Sequence, residues 1–187
     1  HENSGSSKNR NEKEKMMAII KQYPGQILIT MCQLQWTTEV NGALVVLGLV
    51  DNKTNLESQI ELQEKVENYV ELVEKPGLEK LQRIKIVSLI IIDQHNSELI
   101  DQLYQKKIST PKAFDWLSQL RFRRANDESD QLQILVDQTN CTFEYGNEYQ
   151  GNNGRLVVTP LTDRAYMTLT NALNIREVEL HKDQLVL

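Results

Sequence analysis

Apolar and polar residues follow two rhythms along this chain, helical up to about residue 125 and strand-like for a short stretch after it. Residues 1–15, HENSGSSKNRNEKEK, carry no apolar side chain and read as a flexible leader or the frayed start of a helix. Met16, Met17, Ile19 and Ile20 then form a short apolar stripe, interrupted at Tyr23-Pro24-Gly25, where proline removes a donor and biases the residue before it away from helix. From Gln26 to Val50 the apolar residues are dense enough to predict a mostly buried helix, although Ile27–Thr30 alone fits either helix or strand. Leu56–Val73 predicts an amphipathic helix, with Ile60, Val66, Tyr69, Val70 and Val73 set against a Glu/Gln/Lys face and Pro76-Gly77 ending it. Leu78–Ile92 is apolar on almost every side toward its end, which suits the middle of a bundle. Helical spacing continues over Glu98–Lys107 through Leu99, Ile100 and Leu103. Ala113–Arg124 predicts another short helix, with Phe114, Leu117 and Leu120 at three-residue steps.

After the polar break at 124–130, Leu132, Ile134 and Val136 alternate with Gln133, Leu135 and Asp137, an imperfect period of two that predicts a strand. Phe143–Tyr149 is aromatic, Gln150–Gly154 is a Gly/Asn turn, and Arg155–Val158 is a strand candidate closed by Thr159-Pro160. Thr162 is placed to cap a following helix, with the Asp163 carboxylate in its electropositive first turn. The expected fold is mainly α: a helical bundle with a small C-terminal β-hairpin element followed by a helix. Its expected parts are a leader (1–15), the bundle (16–130), the β-turn element and helix (131–174), and a tail (175–187).

Composition narrows the function classes. With 40% hydrophobic and 25% charged residues in 187, the chain can bury a real core. A net charge of −5 argues against a main role in holding nucleic acid or an anionic membrane, since both need a concentrated positive field. No apolar run approaches the roughly 20 residues of a membrane span. The two cysteines, Cys32 and Cys141, have neither the spacing of a zinc site nor that of a disulfide framework, and reduced thiols are expected. Asn52-Lys53-Thr54 and Asn140-Cys141-Thr142 match the glycosylation sequon, and both matches read as accidental. His1 in place of methionine suggests a piece of a longer chain or a processed product.

Candidate chemistry is thin. Asp93, His95 and Ser97 read as caps at a junction between two helices rather than as a hydrolytic site, because a triad is set by three-dimensional geometry and not by sequence neighbours. His1, His95 and His181 cluster with no other ligands, so no metal site is expected. Gly146, Gly151 and Gly154 lack the lysine and hydroxyl of a phosphate loop and fit a hairpin turn instead. Arg121, Arg123 and Arg124 around Phe122 read as a solvated helix face, and Trp36 and Trp116 as core anchors. The residues alone therefore give an acidic, mainly helical module with no self-contained active site.

The run from Phe143 to Leu173 nevertheless has specific wording. Phe143-Glu144-Tyr145-Gly146, Glu148-Tyr149, Gly151-Asn152, Arg155-Leu156-Val157, Thr159-Pro160-Leu161-Thr162-Asp163-Arg164, Tyr166 and Ala172-Leu173 resemble the segment of dynein heavy chains just before the first AAA+ module. Ala165 stands where that family usually has cysteine. Upstream, Pro24-Gly25-Gln26, Trp36-Thr37 with Glu39-Val40, Asp93-Gln94-His95 and Asp115-Trp116-Leu117-Ser118-Gln119-Leu120-Arg121 are similar to further family elements in the right order. The wording is closer to axonemal than to cytoplasmic heavy chains, and an outer-arm chain is expected.

The resemblance implies the C-terminal part of the motor linker, the helical arm that couples ATP hydrolysis in the AAA+ ring to the power stroke. Its implied partners are that ring, other dynein-arm or axonemal subunits, and microtubules only indirectly, with no nucleic acid and no membrane. The implied location is the cytoskeleton of a cilium or flagellum. Implied cofactors are ATP or ADP with Mg in the complete motor and none in this chain. Leu156, Val157, Thr159, Pro160 and Leu161 would then line the adenine side of the first module's nucleotide pocket, or else only pack linker onto ring. Where the family reaches a GPAGTGKT loop, this chain reads Ile175–Leu187, without the loop's lysine and hydroxyl. The expectation is a segment with no turnover of its own. The alternative is a truncated paralogue serving as a non-catalytic structural or assembly subunit.

Overall fold

The computed structural model describes residues 3–47, 65–74, 76–126, 130–146, 157 and 159–184. Among them the fold is mainly α, with one small antiparallel sheet. In chain order come α1 (Asn3–Gln22), α2 (Gly25–Leu47), the helical residues 65–73 (α3), α4 (Lys80–Gln105), the single turn α5 (Phe114–Leu117), strands β1 (Arg121–Asn126), β2 (Leu132–Gln138) and β3 (Cys141–Glu144), and α6 (Pro160–Gln184). Two compact units divide the chain. The first contains residues 1–32, 52–102 and 148–157, the second 33–51, 103–147 and 158–187.

The first unit is built on an aliphatic core. Ile20 of α1, Leu28 of α2, Tyr69 and Leu72 of α3, and Ile86 and Leu89 of α4 are buried together, flanked by Met16, Met17, Ile29, Cys32, Val73, Leu78 and Ile90. α1 takes in most of the polar stretch 1–15, so that stretch is the start of a helix rather than a separate leader. The helix stops where Pro24 is expected to stop it, and Lys85 Nζ donates to the Ile20 and Tyr23 carbonyls at 2.9 and 2.8 Å, satisfying acceptors that the ended helix leaves open. Buried hydroxyls are satisfied locally, Thr30 by the Gln26 carbonyl and Ser88 by that of Ile84, each 2.9 Å away. α2 and α4 are less uniformly buried than their composition suggests, since Ile27, Met31, Leu81 and Val87 are exposed. In α3, Val70 is exposed, whereas Leu72, which the spacing did not single out, is fully buried; Ile60 lies outside the described residues.

Two expectations about helices are corrected. α4 runs unbroken from Lys80 to Gln105, so Asp93, His95 and Ser97 sit in mid-helix and cap no junction. The helix expected over Ala113–Arg124 lasts one turn, and Arg121–Asn126 is an edge strand. Three-residue steps hold for Phe114 and Leu117 only. Beyond them Phe122 alternates with arginines, and its N–H donates to Thr37 Oγ1 at 3.1 Å, so tertiary contacts decide the strand.

In the second unit the strands lie in the order β1-β2-β3, both pairs antiparallel, so the sheet starts at Arg121 rather than at 131. Phe122 opposes Val136, which opposes Phe143, and these three form an apolar strip on one face; Ile134 and Leu132 share that face but oppose Arg124 and Asn126, and Leu132 is exposed. The other face is polar and joins Arg123 Nε to Asp137 Oδ2 at 2.6 Å and Thr142 Oγ1 to Asp137 Oδ1 at 2.7 Å. Leu135, the exception in the alternation, lies on that polar face. Trp36 and Trp116 are core anchors as expected, meeting edge to face at 5.2 Å, with Trp116 Nε1 donating to Asn41 Oδ1 at 2.8 Å. The turn and strand expected over Gln150–Val158 lie outside the described residues, except Val157, which is exposed and in no strand.

Candidate functional site

Helix α6 begins with a reciprocal cap. Thr159 N–H donates to Thr162 Oγ1 at 2.7 Å while Thr162 N–H donates to Thr159 Oγ1 at 3.3 Å, and Pro160 takes the first helical position, where its missing N–H costs nothing. The capping residue is thus Thr159 rather than Thr162, which answers it from within the first turn beside Asp163.

The two sides of α6 carry the opposite of the usual pattern. Leu161, Ala165, Leu169, Ala172 and Leu173 share a side at helical spacing, and all are exposed, Leu161 at 76% and Leu169 at 60%. The opposite side, Asp163, Met167, Thr170, Asn171 and Asn174, is half-buried and mostly polar. Its contacts to the sheet run through hydrogen bonds: Thr170 Oγ1 donates to Gln138 Oε1 at 2.8 Å, and the Cys141 thiol to Asn171 Oδ1 at 3.3 Å. Gln138 is itself buried, and its Nε2 donates to the Ser118 carbonyl at 2.9 Å. Between Gln138 and Cys141 the turn residue Thr139 takes φ 55°, an unfavourable angle for a β-branched side chain, while its N–H donates to the Leu117 carbonyl at 2.6 Å.

A second polar cluster lies in the first unit. Asp93, 1% exposed, is 3.2 Å from Lys65 Nζ, which is also 3.9 Å from Cys32 Sγ. Burial pushes the Cys32 thiol above its ordinary range, opposed by Lys65 and reinforced by Asp93. Burial likewise raises the Tyr69 phenol, with Cys32 and Asp93 adding to it. A thiol held protonated is a poor nucleophile, so the cluster is a buried ion pair with neutral neighbours and not an activated cysteine. His95 cannot complete a site with Asp93 and Ser97, because it lies two residues from each and points to a different side of α4, whereas Asp93 and Ser97 are four apart and share one.

Of the residues expected near a nucleotide, Thr159, Pro160 and Leu161 come together at the start of α6, Val157 is exposed just before it, and Leu156 lies outside the described residues. Gly146 follows β3, while Gly151 and Gly154 also lie outside. Arg121, Arg123 and Arg124 are strand residues, and burial lowers the pKa of Arg121 while Asp137 opposes that effect. Among the described residues no three His, Cys, Asp or Glu side chains group as metal ligands. Sequence reasoning missed Gln138, Thr170 and Asn171. The one available signal was the polar run Gln138–Asn140 between two apolar strands, which marks a turn but not what the turn holds.

Residues 145–179, most of α6 with the segment leading into it, match the family model described as the hydrolytic ATP binding site of dynein motor region. The chain is 42% identical over 156 residues to dynein axonemal heavy chain 2 of Mus musculus, covering 83% of this chain and 3% of that protein. It is 40% identical over 156 residues to the Homo sapiens protein of the same name, covering 83% of this chain and 4% of that protein. To the dynein-1-beta heavy chain of the flagellar inner arm I1 complex of Chlamydomonas reinhardtii it is 39% identical over 160 residues, or 84% of this chain and 3% of that protein. This last relative is by name an inner-arm chain, so the outer-arm expectation gains no support from it. The chain spans only 3–4% of the length of these curated relatives. Over most of its own length the chain is homologous to axonemal dynein heavy chains, and through residues 145–179 to the motor region of dynein.

Proposed function

We propose that this chain is a linker segment of an axonemal dynein heavy chain, leading into the first AAA+ module and transmitting force without catalytic groups of its own. The observation that carries this reading is the reversed polarity of α6. A helix that faces its own sheet with Thr170 and Asn171 and solvent with Leu161, Leu169 and Leu173 is built to be covered on its apolar side by a further body. Most of that helix lies within the matched ATP-site segment, so the covering body is the AAA+ module and α6 is the place where linker meets ring. In this reading the complete motor binds ATP or ADP with Mg, and Leu156, Val157, Thr159, Pro160 and Leu161 form the adenine-side wall. Its place is the axoneme of a cilium or flagellum, among other dynein-arm subunits.

The test is the pair Leu169→Asp with Leu173→Asp. In the 187-residue chain the pair leaves stability within about 0.5 kcal/mol of wild type, as for exposed positions elsewhere. In a full-length heavy chain carrying this segment it lowers microtubule-stimulated ATP turnover at least tenfold. Unchanged turnover and gliding in the full-length motor would overturn the reading. The pocket wall has a separate check, since Leu161→Asp in the same motor then weakens nucleotide binding, and unaltered affinity and turnover would reject it.

A further inference from the structure

We infer that Gln138 and Cys141 form a registry lock that fixes which turn of α6 sits on the sheet. These two residues oppose each other at the end of the β2–β3 ladder, so their side chains leave the same face side by side. They take hold of two consecutive helix residues, Gln138 Oε1 accepting from Thr170 Oγ1 and the Cys141 thiol donating to Asn171 Oδ1. The direction of the Gln138 amide is forced. The Ser118 carbonyl can only accept, so Nε2 must point to it and Oε1 must point to α6.

The lock is needed because the sheet-facing side of α6 is poor in apolar residues. Met167 is its one apolar member between Asp163 and Asn174, and apolar packing is non-directional, so it would tolerate a helix displaced by a turn. A buried amide with both ends engaged does not. Displacement by one turn, about 5.4 Å, would leave Gln138 Oε1 buried without its donor. Buried polar side chains that set register at some cost in stability are a known device in helix pairing, and the same logic applies to this helix on a sheet. Thr139 belongs to the device: its left-handed backbone is held by the Leu117 carbonyl, which keeps Gln138 and Cys141 aimed at the helix. Asn171 is held from behind, its Nδ2 donating to the Met167 carbonyl at 2.7 Å, so its oxygen is left to face the thiol. The inference stands on this unit's own geometry and does not depend on the linker reading.

The test uses the 187-residue chain with spin labels carried on p-acetylphenylalanine at the exposed positions Glu144 and Arg164, read by pulsed electron resonance. The wild-type background gives a single narrow distance. Gln138→Leu nearly keeps the volume and removes both hydrogen bonds, and the single Thr170 hydroxyl proton then turns to the Met167 carbonyl, 3.1 Å away, so the protein stays folded. The expected result is a resolved second distance, shifted by about 5 Å, one helical turn. Thr170→Val, which removes only the donor, gives the same second population in smaller amount and serves alone if Gln138→Leu does not fold. A single wild-type distance in either folded variant overturns the inference.

Discussion

The two units hold their helices with opposite materials. In the first, Ile20, Leu28, Leu72, Ile86 and Leu89 form a continuous aliphatic core, and polar groups such as Lys85 serve to close helix ends. In the second, the Trp36–Trp116 pair anchors the short α5 turn to α2, but α6 is fastened by an amide, a hydroxyl and a thiol while its leucines face outward. An aliphatic core gives stability with little directional demand, whereas hydrogen bonds give position with modest net stability. The first unit is therefore the part that resists unfolding, and the α6 joint is the part that sets a geometry.

Truncations should expose that contrast most strongly. Trp116→Ala empties a fully buried site and orphans Asn41 Oδ1, and is expected to cost about 4 kcal/mol; Leu72→Ala in the first unit is expected to cost about 3 kcal/mol. Leu169→Ala on the outer side of α6 should cost less than about 0.5 kcal/mol, all three read by urea denaturation. A cost at Leu169 equal to that at Leu72 would break the comparison, because it would mean that the outer side of α6 is already covered. Next in size is Lys65→Met, which removes the cation beside the buried Asp93 carboxylate and should cost about 2 kcal/mol, below the range for fully buried pairs because Lys65 is partly exposed. Asp93→Asn, which removes the charge itself, should cost less.

Alkaline pH should weaken the first unit by a smaller, graded amount. The Cys32 and Tyr69 pKa values are raised in the folded chain above their ordinary 9.0 and 10.0, so above pH 9 the folded state holds protons that the unfolded state releases. Stability is therefore full below pH 9 and falls as pH rises beyond it. Urea midpoints at pH 7.5 and pH 10.5 measure the loss, and Cys32→Ser with Tyr69→Phe should flatten it. An equal slope in that double variant would assign the loss to other groups.

The fold was legible where one local rule governed. Pro24 marked the end of α1, the dense apolar run gave α2, and the alternation at Leu132, Ile134 and Val136 gave a strand, although Leu132 is exposed. It was not legible where distant partners decided. Arg121–Asn126 is a strand because Thr37, 85 residues away, and the neighbouring strand β2 supply its hydrogen bonds. Leu72 is central because α1, α2 and α4 converge on it, while Val70, of similar hydrophobicity, faces solvent. For the candidate site, the helix start at Thr159–Asp163 could be read locally. The grip of Gln138 on Thr170 joins residues 32 apart through side chains that are ordinary at either position.

The smallest expected effect concerns that helix start. Thr159→Ala removes the hydroxyl that accepts from Thr162 N–H, and should cost about 1 kcal/mol of α6 stability. Because α6 is held to the sheet at Thr170 and Asn171, more than two turns downstream, the loss should appear as faster amide exchange over 161–166 and leave the ladder of β2 and β3 unchanged. Thr159→Ser keeps the acceptor and should restore protection. Faster exchange in β2 and β3 as well would show that the cap and the joint open together, and the separation drawn between a positional joint and an independent helix start would fail.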